Sequence, residues 1–377
     1  MTPAPSDDVE DRKAEHLRLV TGRDVASRVS AGWSDVQLVH HSLPATDLRA
    51  IDLTTDFLGH RLGAPLVIAA MTGGHQTAGD VNARLARAAQ RHGLAMGLGS
   101  QRAALRNPDL ARTYAVAREA APDAFLIANI GAAQLVPQDS DAPLTPHQLY
   151  DAVRMIGANA LAIHLNFLEE TIQPEGDRQV GGLREAIARA VASLPVPAIA
   201  KETGTGMSRQ AAVDLSRLGF QALDVGGLGG TSFAAVEAAR AEARGDVRRA
   251  ALGHVYRDWG VPTAVSVVAA RAAGLPIIAT GGIRTGLDAA KAIALGASVV
   301  GVARPLLAAA LDGDTAVDEW IGQFQEELRV AVFLTGGALV ADLHTVPRVV
   351  LGDTRRWLDD LGYEPSPSPA PGAGEVP

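Results

Sequence analysis

The chain has 377 residues, of which 47% are hydrophobic and 20% charged, with a formal net charge of −8. That composition supplies a core for one large α/β domain or two smaller ones, excludes wholesale disorder, and argues against a broad nucleic-acid or anionic-membrane surface, which needs clustered Lys and Arg. Cysteine is absent, which removes disulfides, thiolate metal sites and cysteine nucleophiles together.

Met1 to Arg12 is acidic and carries no apolar signal core, and no later stretch reaches the roughly 18 apolar residues of a membrane span. A soluble, cytoplasmic protein is expected. Arg12-Lys13-Ala14-Glu15-His16 then opens a charged segment. Such a run is most often a solvated helix face; the functional alternative is a cationic clamp for an anionic ligand.

From Pro65 onward, eight short apolar runs alternate with helical patterns: Pro65 to Met71, Gly93 to Leu98, Phe125 to Ile130, Ala160 to Leu165, Val196 to Lys201, Gln221 to Val225, Pro276 to Thr280 and Ala297 to Val302. The runs are continuous rather than alternating, as strands covered on both faces require. Between the first two, Val81, Leu85, Ala88 and Ala89 share one helical face, and Gly93 follows as a C-terminal cap. A similar unit spans Leu287 to Leu295 and stops at Gly296. Eight βα units predict a single closed (β/α)₈ TIM barrel over 65–363. Residues 1–64 read as an extension covering the barrel mouth, Ala234 to Pro262 as an insertion, and the Pro-rich 364–377 as a disordered tail.

Active sites of such barrels form at the carboxyl ends of the strands, so the residues after each run read as one ring. Gly281-Gly282, with the segment after the eighth strand, suits phosphate binding through backbone N–H groups; a tight turn is the plainer reading, and Gly229-Gly230-Thr231 tips the balance toward phosphate. Lys201 ends a buried run and needs either a counter-charge, such as Glu202, or a ligand with negative density, such as a reduced flavin. His164 and Asn166 point to the same side of their strand by period two. Glu169-Glu170 could hold Mg²⁺ or form a solvated acidic loop. Arg102 offers a planar fork for a diphosphate.

Taken together, Arg12-Lys13 with Glu15-His16, Ala70-Met71-Thr72-Gly73-Gly74, Gly99-Ser100-Gln101-Arg102, Ala128-Asn129-Ile130-Gly131 and His164-Leu165-Asn166 resemble the type 2 isopentenyl diphosphate isomerase family. Gln173-Pro174-Glu175-Gly176-Asp177, Lys201-Glu202, Gly229-Gly230-Thr231-Ser232, Asp258-Trp259-Gly260-Val261-Pro262-Thr263 and Gly281-Gly282-Ile283-Arg284-Thr285-Gly286 continue the resemblance in order, to about Gly336. It implies an FMN-dependent interconversion of isopentenyl and dimethylallyl diphosphate, with Mg²⁺ bound, the flavin reduced by NADPH, and a homo-oligomer of four or eight chains.

Residue by residue, the resemblance assigns FMN to Met71, Thr72, Gly73, Ser100, Asn129, Lys201, Gly226, Thr231, Gly282, Ile283, Arg284, Ala303 and Arg304. It assigns substrate to Arg12, Lys13, His16, Ser100, Gln101, Arg102, His164, Asn166 and Glu169, with His164 and Glu169 catalytic, and the metal to Glu170. Two positions depart from the family: Glu169 stands where Gln is usual, and Gly226 where many relatives carry Ser. The competing functions are an FMN barrel acting on 2-hydroxy acids and a silent flavin- or prenyl-diphosphate-binding paralogue. An inosine monophosphate dehydrogenase-like chemistry is excluded by the missing cysteine.

Overall fold

All eight runs become strands of one closed parallel barrel: β1 (Leu66–Ile68), β2 (Ala95–Gly97), β3 (Phe125–Gly131), β4 (Ala160–Leu165), β5 (Ala198–Glu202), β6 (Ala222–Asp224), β7 (Ile277–Thr280) and β8 (Val299–Val302). The computed structural model describes residues 15–365, apart from 17, 21 and 140. Arg12, Lys13 and the tail after 365 therefore lie outside the described residues. Sequential strands pair in parallel, and β8 closes on β1 through Val300 opposite Leu66. Every residue of β3 is buried, which is why its sequence shows no alternation.

Helix Gln76–His92 ends on Gly93 in the left-handed conformation, φ 63°, and Gly286–Leu295 ends on Gly296 at φ 120°. Both stops follow the glycine signal, because a side chain at either cap would strain the backbone. The insertion folds as two helices, Phe233–Ala243 and Val247–Val255.

The extension before β1 is put to more than one use. Thr55–Phe57 and His60–Leu62 form a hairpin whose turn, Leu58 (φ 47°) and Gly59 (φ 80°), has the doubly positive φ of tight hairpins. Phe57 and Leu62 pack on Val67, Ala95, Phe125, Ala160, Ile199, Ala222, Ile278 and Val299. Each of those eight is the first or second residue of its strand, so the hairpin plugs the amino end of the barrel. Earlier in the chain, Val36–Leu38 pairs antiparallel with Arg348–Val350. Ser27 N–H donates to Gly230 O at 2.8 Å and Ser232 N–H to Val25 O at 2.8 Å, which lays the start of the chain against a carboxyl-end loop. Among the described residues, no helix is long and apolar enough to cross a membrane.

Candidate active site

A cavity of about 570 Å³ opens at the carboxyl ends of the strands, with Met71, Thr72, Gly73, Ser100, Asn129, Lys201, Gly226, Thr231, Gly282, Ile283, Arg284, Ala303 and Arg304 in its wall. One half is made largely of backbone. A Cβ on Gly282 (φ 68°) would come within 2.6 Å of Ala31 Cβ and 2.8 Å of Gly229 O, and one on Gly230 within 3.0 Å of Gly282 N. Helix Arg304–Asp312 begins beside them with no side-chain cap, so its first N–H groups face a place suited to an anion. Thr280 Oγ1 lines the same half and is buried without a hydrogen-bond partner among the described residues. A glycine cradle, an uncapped helix start and a buried hydroxyl together fit the phosphate and polar edge of FMN.

Gly226 carries φ 43°, and a Cβ there would collide with the backbone carbonyl of Glu202. Glycine at 226 thus suits the close approach of two strand-end loops. The Glu202 carboxylate accepts from the N–H groups of Thr203, Gly204 and Thr205 at 2.5, 2.8 and 2.7 Å and from Thr205 Oγ1 at 2.5 Å. Burial pushes its pKa up against the pull of these hydrogen bonds. Its role is to shape the loop after β5.

Across the mouth, one register rung sets Gly131, His164, Lys201 and Asp224 side by side. Lys201 Nζ lies 3.2 Å from Asp224 Oδ2, both side chains nearly buried, and donates to Glu202 O at 3.0 Å. The counter-charge of Lys201 is therefore Asp224, with Glu202 contributing only its carbonyl. His164 Nδ1 lies 2.9 Å from Asn129 Oδ1. Because Asn129 Nδ2 donates to Leu98 O at 3.0 Å, its Oδ1 is the acceptor and Nδ1 of His164 carries the hydrogen. In the neutral ring the lone pair then sits on Nε2.

Gln101, expected to contact substrate, is fully buried and is not among the residues lining the cavity. Its side chain accepts from Asn129 N–H at 3.0 Å and donates to Ala152 O at 2.8 Å, and so supports Asn129. Ser100 does line the cavity, and its carbonyl accepts from the Tyr114 hydroxyl at 2.6 Å. Burial pushes the Tyr114 pKa up and keeps it a donor.

The other half of the cavity is charged. Arg102 lines it, but its guanidinium already meets Asp177 Oδ2 at 2.5 Å and Asp141 Oδ2 at 3.0 Å. Asn166 Nδ2 donates to Glu169 Oε2 at 3.1 Å and Glu170 Oε1 at 3.0 Å, and Asp177 N–H donates to Glu170 Oε2 at 2.8 Å. Gln173 Nε2 bridges Glu169 Oε1 at 2.9 Å and Glu237 Oε1 at 3.2 Å. His16 Nε2 reaches Glu237 Oε1 at 2.7 Å. Burial pushes the Glu237 pKa up, but His16 and Arg240 outweigh it and hold the carboxyl below its ordinary value. Among the described residues, His16, Glu169 and Glu237 are the group whose ligand atoms converge within 4.8 Å of one another; Glu170 is outside that group and shares the Asn166 amide with Glu169.

Sequence reasoning passed over Asp224, Thr280, Gln173 and Glu237. Two of these left a signal. A carboxylate inside the buried run Gln221 to Val225 needs a cationic neighbour, and Lys201 is one strand away. In Phe233–Ala243, buried from Ala234 to Ala241, Glu237 and Arg240 stand three residues apart in a helix of alanines. Gln173 stood in a motif of the resemblance but without a role of its own, and Thr280 left no signal.

The FMN-dependent dehydrogenase family model matches residues 20–118 and 258–348. Among solved structures, a lactate oxidase of Pediococcus acidilactici superposes with TM-score 0.63 at 16% identity, covering 93% of this chain and 96% of its own. A mandelate oxidase variant with an FMN adduct gives TM-score 0.58 at 18% identity, covering 92% and 100%. At such identities the likeness concerns the fold. Fold, family model and glycine cradle together define an FMN-dependent α/β-barrel enzyme. The family model leaves out 119–257, the stretch that holds His164 to Asp177 and the insertion helices. That stretch is covered by other relatives: the isopentenyl-diphosphate delta-isomerase of Methanoregula boonei is 49% identical over 351 residues, 93% of this chain and 96% of the relative, and that of Halobacterium salinarum 48% over 361 residues, 95% and 98%. The chain belongs to the isopentenyl-diphosphate delta-isomerase family, in its FMN-dependent type 2 branch, and is an isomerase.

Proposed function

We propose that the enzyme interconverts isopentenyl and dimethylallyl diphosphate on reduced FMN, with Mg²⁺ at the diphosphate and NADPH as reductant. One observation carries the reading: a backbone cradle at Gly230 and Gly282 and a charged end at His16, Arg102, Asn166, Glu169 and Glu170 share one cavity. Each end suits one phosphorylated partner.

The isomerisation adds a proton at the terminal alkene carbon and removes one from C2, through a tertiary cation-like species that must be kept from water. When bound, reduced FMN supplies the acid–base group for this exchange. Lys201, held by Asp224, sets a fixed positive charge against the anionic edge of the cofactor site. His164, oriented by Asn129, presents Nε2 toward the substrate. Glu169 accepts hydrogen bonds at the substrate side, where a family Gln would both donate and accept. Glu170 would hold Mg²⁺, whose charge offsets the diphosphate. Arg102 and His16, with Arg12 and Lys13, bind the diphosphate, and the segment around Val25 and Ser27, laid on the Gly230 loop, helps keep water from the mouth. The same reading makes the protein a cytoplasmic homo-oligomer of four or eight chains.

The test is anaerobic incubation of FMN-loaded protein with isopentenyl diphosphate, Mg²⁺ and NADPH, following dimethylallyl diphosphate, with NADPH omitted in a control. Product that requires the reductant supports the reading. Bound FMN with no product overturns it, and turnover of lactate instead would favour a 2-hydroxy acid oxidoreductase.

A further inference from the structure

The insertion helix Phe233–Ala243 buries a guanidinium. Arg240 is 1% exposed, and its three nitrogens meet three carboxylates from separate parts of the chain: Nε to Glu15 Oε2 at 3.0 Å, NH2 to Glu175 Oε1 at 2.9 Å, and NH1 to Glu237 Oε2 at 2.6 Å. Glu15 belongs to the first described residues, next to His16 in the cavity wall and just after Arg12-Lys13 in sequence. Glu175 follows Gln173, which holds Glu169. Arg244, at the cap that ends this helix, reinforces Glu15 from the exposed side at 3.3 Å.

Stability alone does not account for this arrangement. Burying a guanidinium and its carboxylates costs desolvation, and well-packed apolar residues of similar volume are commonly as stable. The surrounding helix face is alanine and valine, which would accept such packing. What apolar residues could not do is give the chain start a fixed direction: Leu19 and Val20 rest on Val25, Ala235 and Val236 by contacts that carry none. Charge-assisted hydrogen bonds with the planar geometry of arginine have direction, and three of them from one head group fix one segment against another.

We propose that Arg240 is a positioning residue for the diphosphate end of the site, pinning the chain start through Glu15 to the loop after the Glu169-Glu170 pair through Glu175. This rests on the reading of the cavity as a prenyl diphosphate site. Arg240 touches neither cofactor nor substrate; it sets where His16, and the cations that precede Glu15, meet the ligand.

The experiment uses the full chain loaded with FMN, in the variants Arg240→Met, Glu15→Gln and the double variant. Arg240→Met is expected to raise KM for isopentenyl diphosphate about tenfold while kcat stays within about threefold, the pattern of lost ground-state binding. Glu15→Gln is expected to raise KM less, and the double variant about as much as Arg240→Met alone, since Arg240→Met already removes the ion pair that Glu15→Gln weakens. A second readout needs no turnover: trypsin cleavage after Arg18 or Arg23 is expected to quicken about tenfold in Arg240→Met, as it tracks local opening. Unchanged KM and unchanged cleavage in a folded, FMN-bearing Arg240→Met protein overturn the proposal, as does a loss confined to kcat. Should Arg240→Met not fold, KM and cleavage of Glu15→Gln decide on the same terms. If the wild-type chain does not turn over isopentenyl diphosphate, the functional reading fails, while the cleavage comparison still decides whether Arg240 holds the chain start.

Discussion

The amino end of the barrel is closed by carbon: Phe57 and Leu62 of a hairpin fill it, and Phe57 stacks edge-on against Phe125 at 6.0 Å. The carboxyl end is lined by glycine backbone on one side and by paired charge on the other. The first arrangement is dry, local in its chemistry and tolerant of any side chains with the right volume. The second is specific, because each polar group must find its partner or a ligand. Strength and chemistry are thereby separated along the barrel axis, and a change at one end should register mainly in stability, at the other mainly in ligand handling.

Phe57→Ala should give the largest effect, a loss of about 3–5 kcal/mol from an emptied aromatic site, with FMN stoichiometry unchanged in the folded fraction. Denaturant titration beside flavin absorbance checks both halves, and loss of FMN at equal folding would break the separation. Asp224→Asn comes next. It leaves Lys201 without its carboxylate at a nearly buried position, and a loss of about 3 kcal/mol is expected together with weaker FMN binding, read by fluorescence titration. Gly226→Ser should cost about 1–3 kcal/mol from the positive φ, with a displaced loop after β5 and reduced flavin content. A variant that binds FMN as well as the wild type would show that the Glu202 carbonyl can withdraw. Glu169→Gln sharpens the charged half alone: turnover is expected within about tenfold of the wild type, roughly 1.4 kcal/mol, with melting temperature unmoved. A larger drop in kcat would mean that the carboxylate itself takes part.

The smallest effect belongs to a group the mechanism does not use. Burial, then the neighbouring Arg348, holds the His344 imidazole below its ordinary value, with a backbone hydrogen bond opposing. The unfolded chain therefore binds more protons than the folded one as pH falls below about 6.5, and stability declines from there through the folded pKa. His344→Gln should flatten that part of the stability–pH curve without changing the plateau above it, as equilibrium unfolding across the range would show.

Much of the barrel was legible because buried parallel strands leave continuous apolar runs and helices stop on glycine, and both signals are local. The amino-end hairpin was not, since Thr55–Phe57 and His60–Leu62 are short and their turn places a non-glycine residue, Leu58, at positive φ. In the site, Gly282, Lys201, His164 and Asn166 could be placed at strand ends from sequence. Gln101 could not be told from its neighbours: it sits in the same motif as Ser100 and Arg102, but only the fold turns it inward toward Asn129 and Ala152.

By itself, the sequence determined the repeating strand–helix order, the end of the barrel at which chemistry gathers, and the residue types available there, because these follow from periodicity and from what glycine and buried charge require. The tertiary structure decided the pairings: Lys201 with Asp224 rather than Glu202, Arg102 with Asp177 and Asp141, and Arg240 with carboxylates lying 225 and 65 residues away in the chain. A charge announces that it needs a partner, but which of many opposite charges reaches it depends on the distance across a folded barrel, and no local pattern encodes that distance.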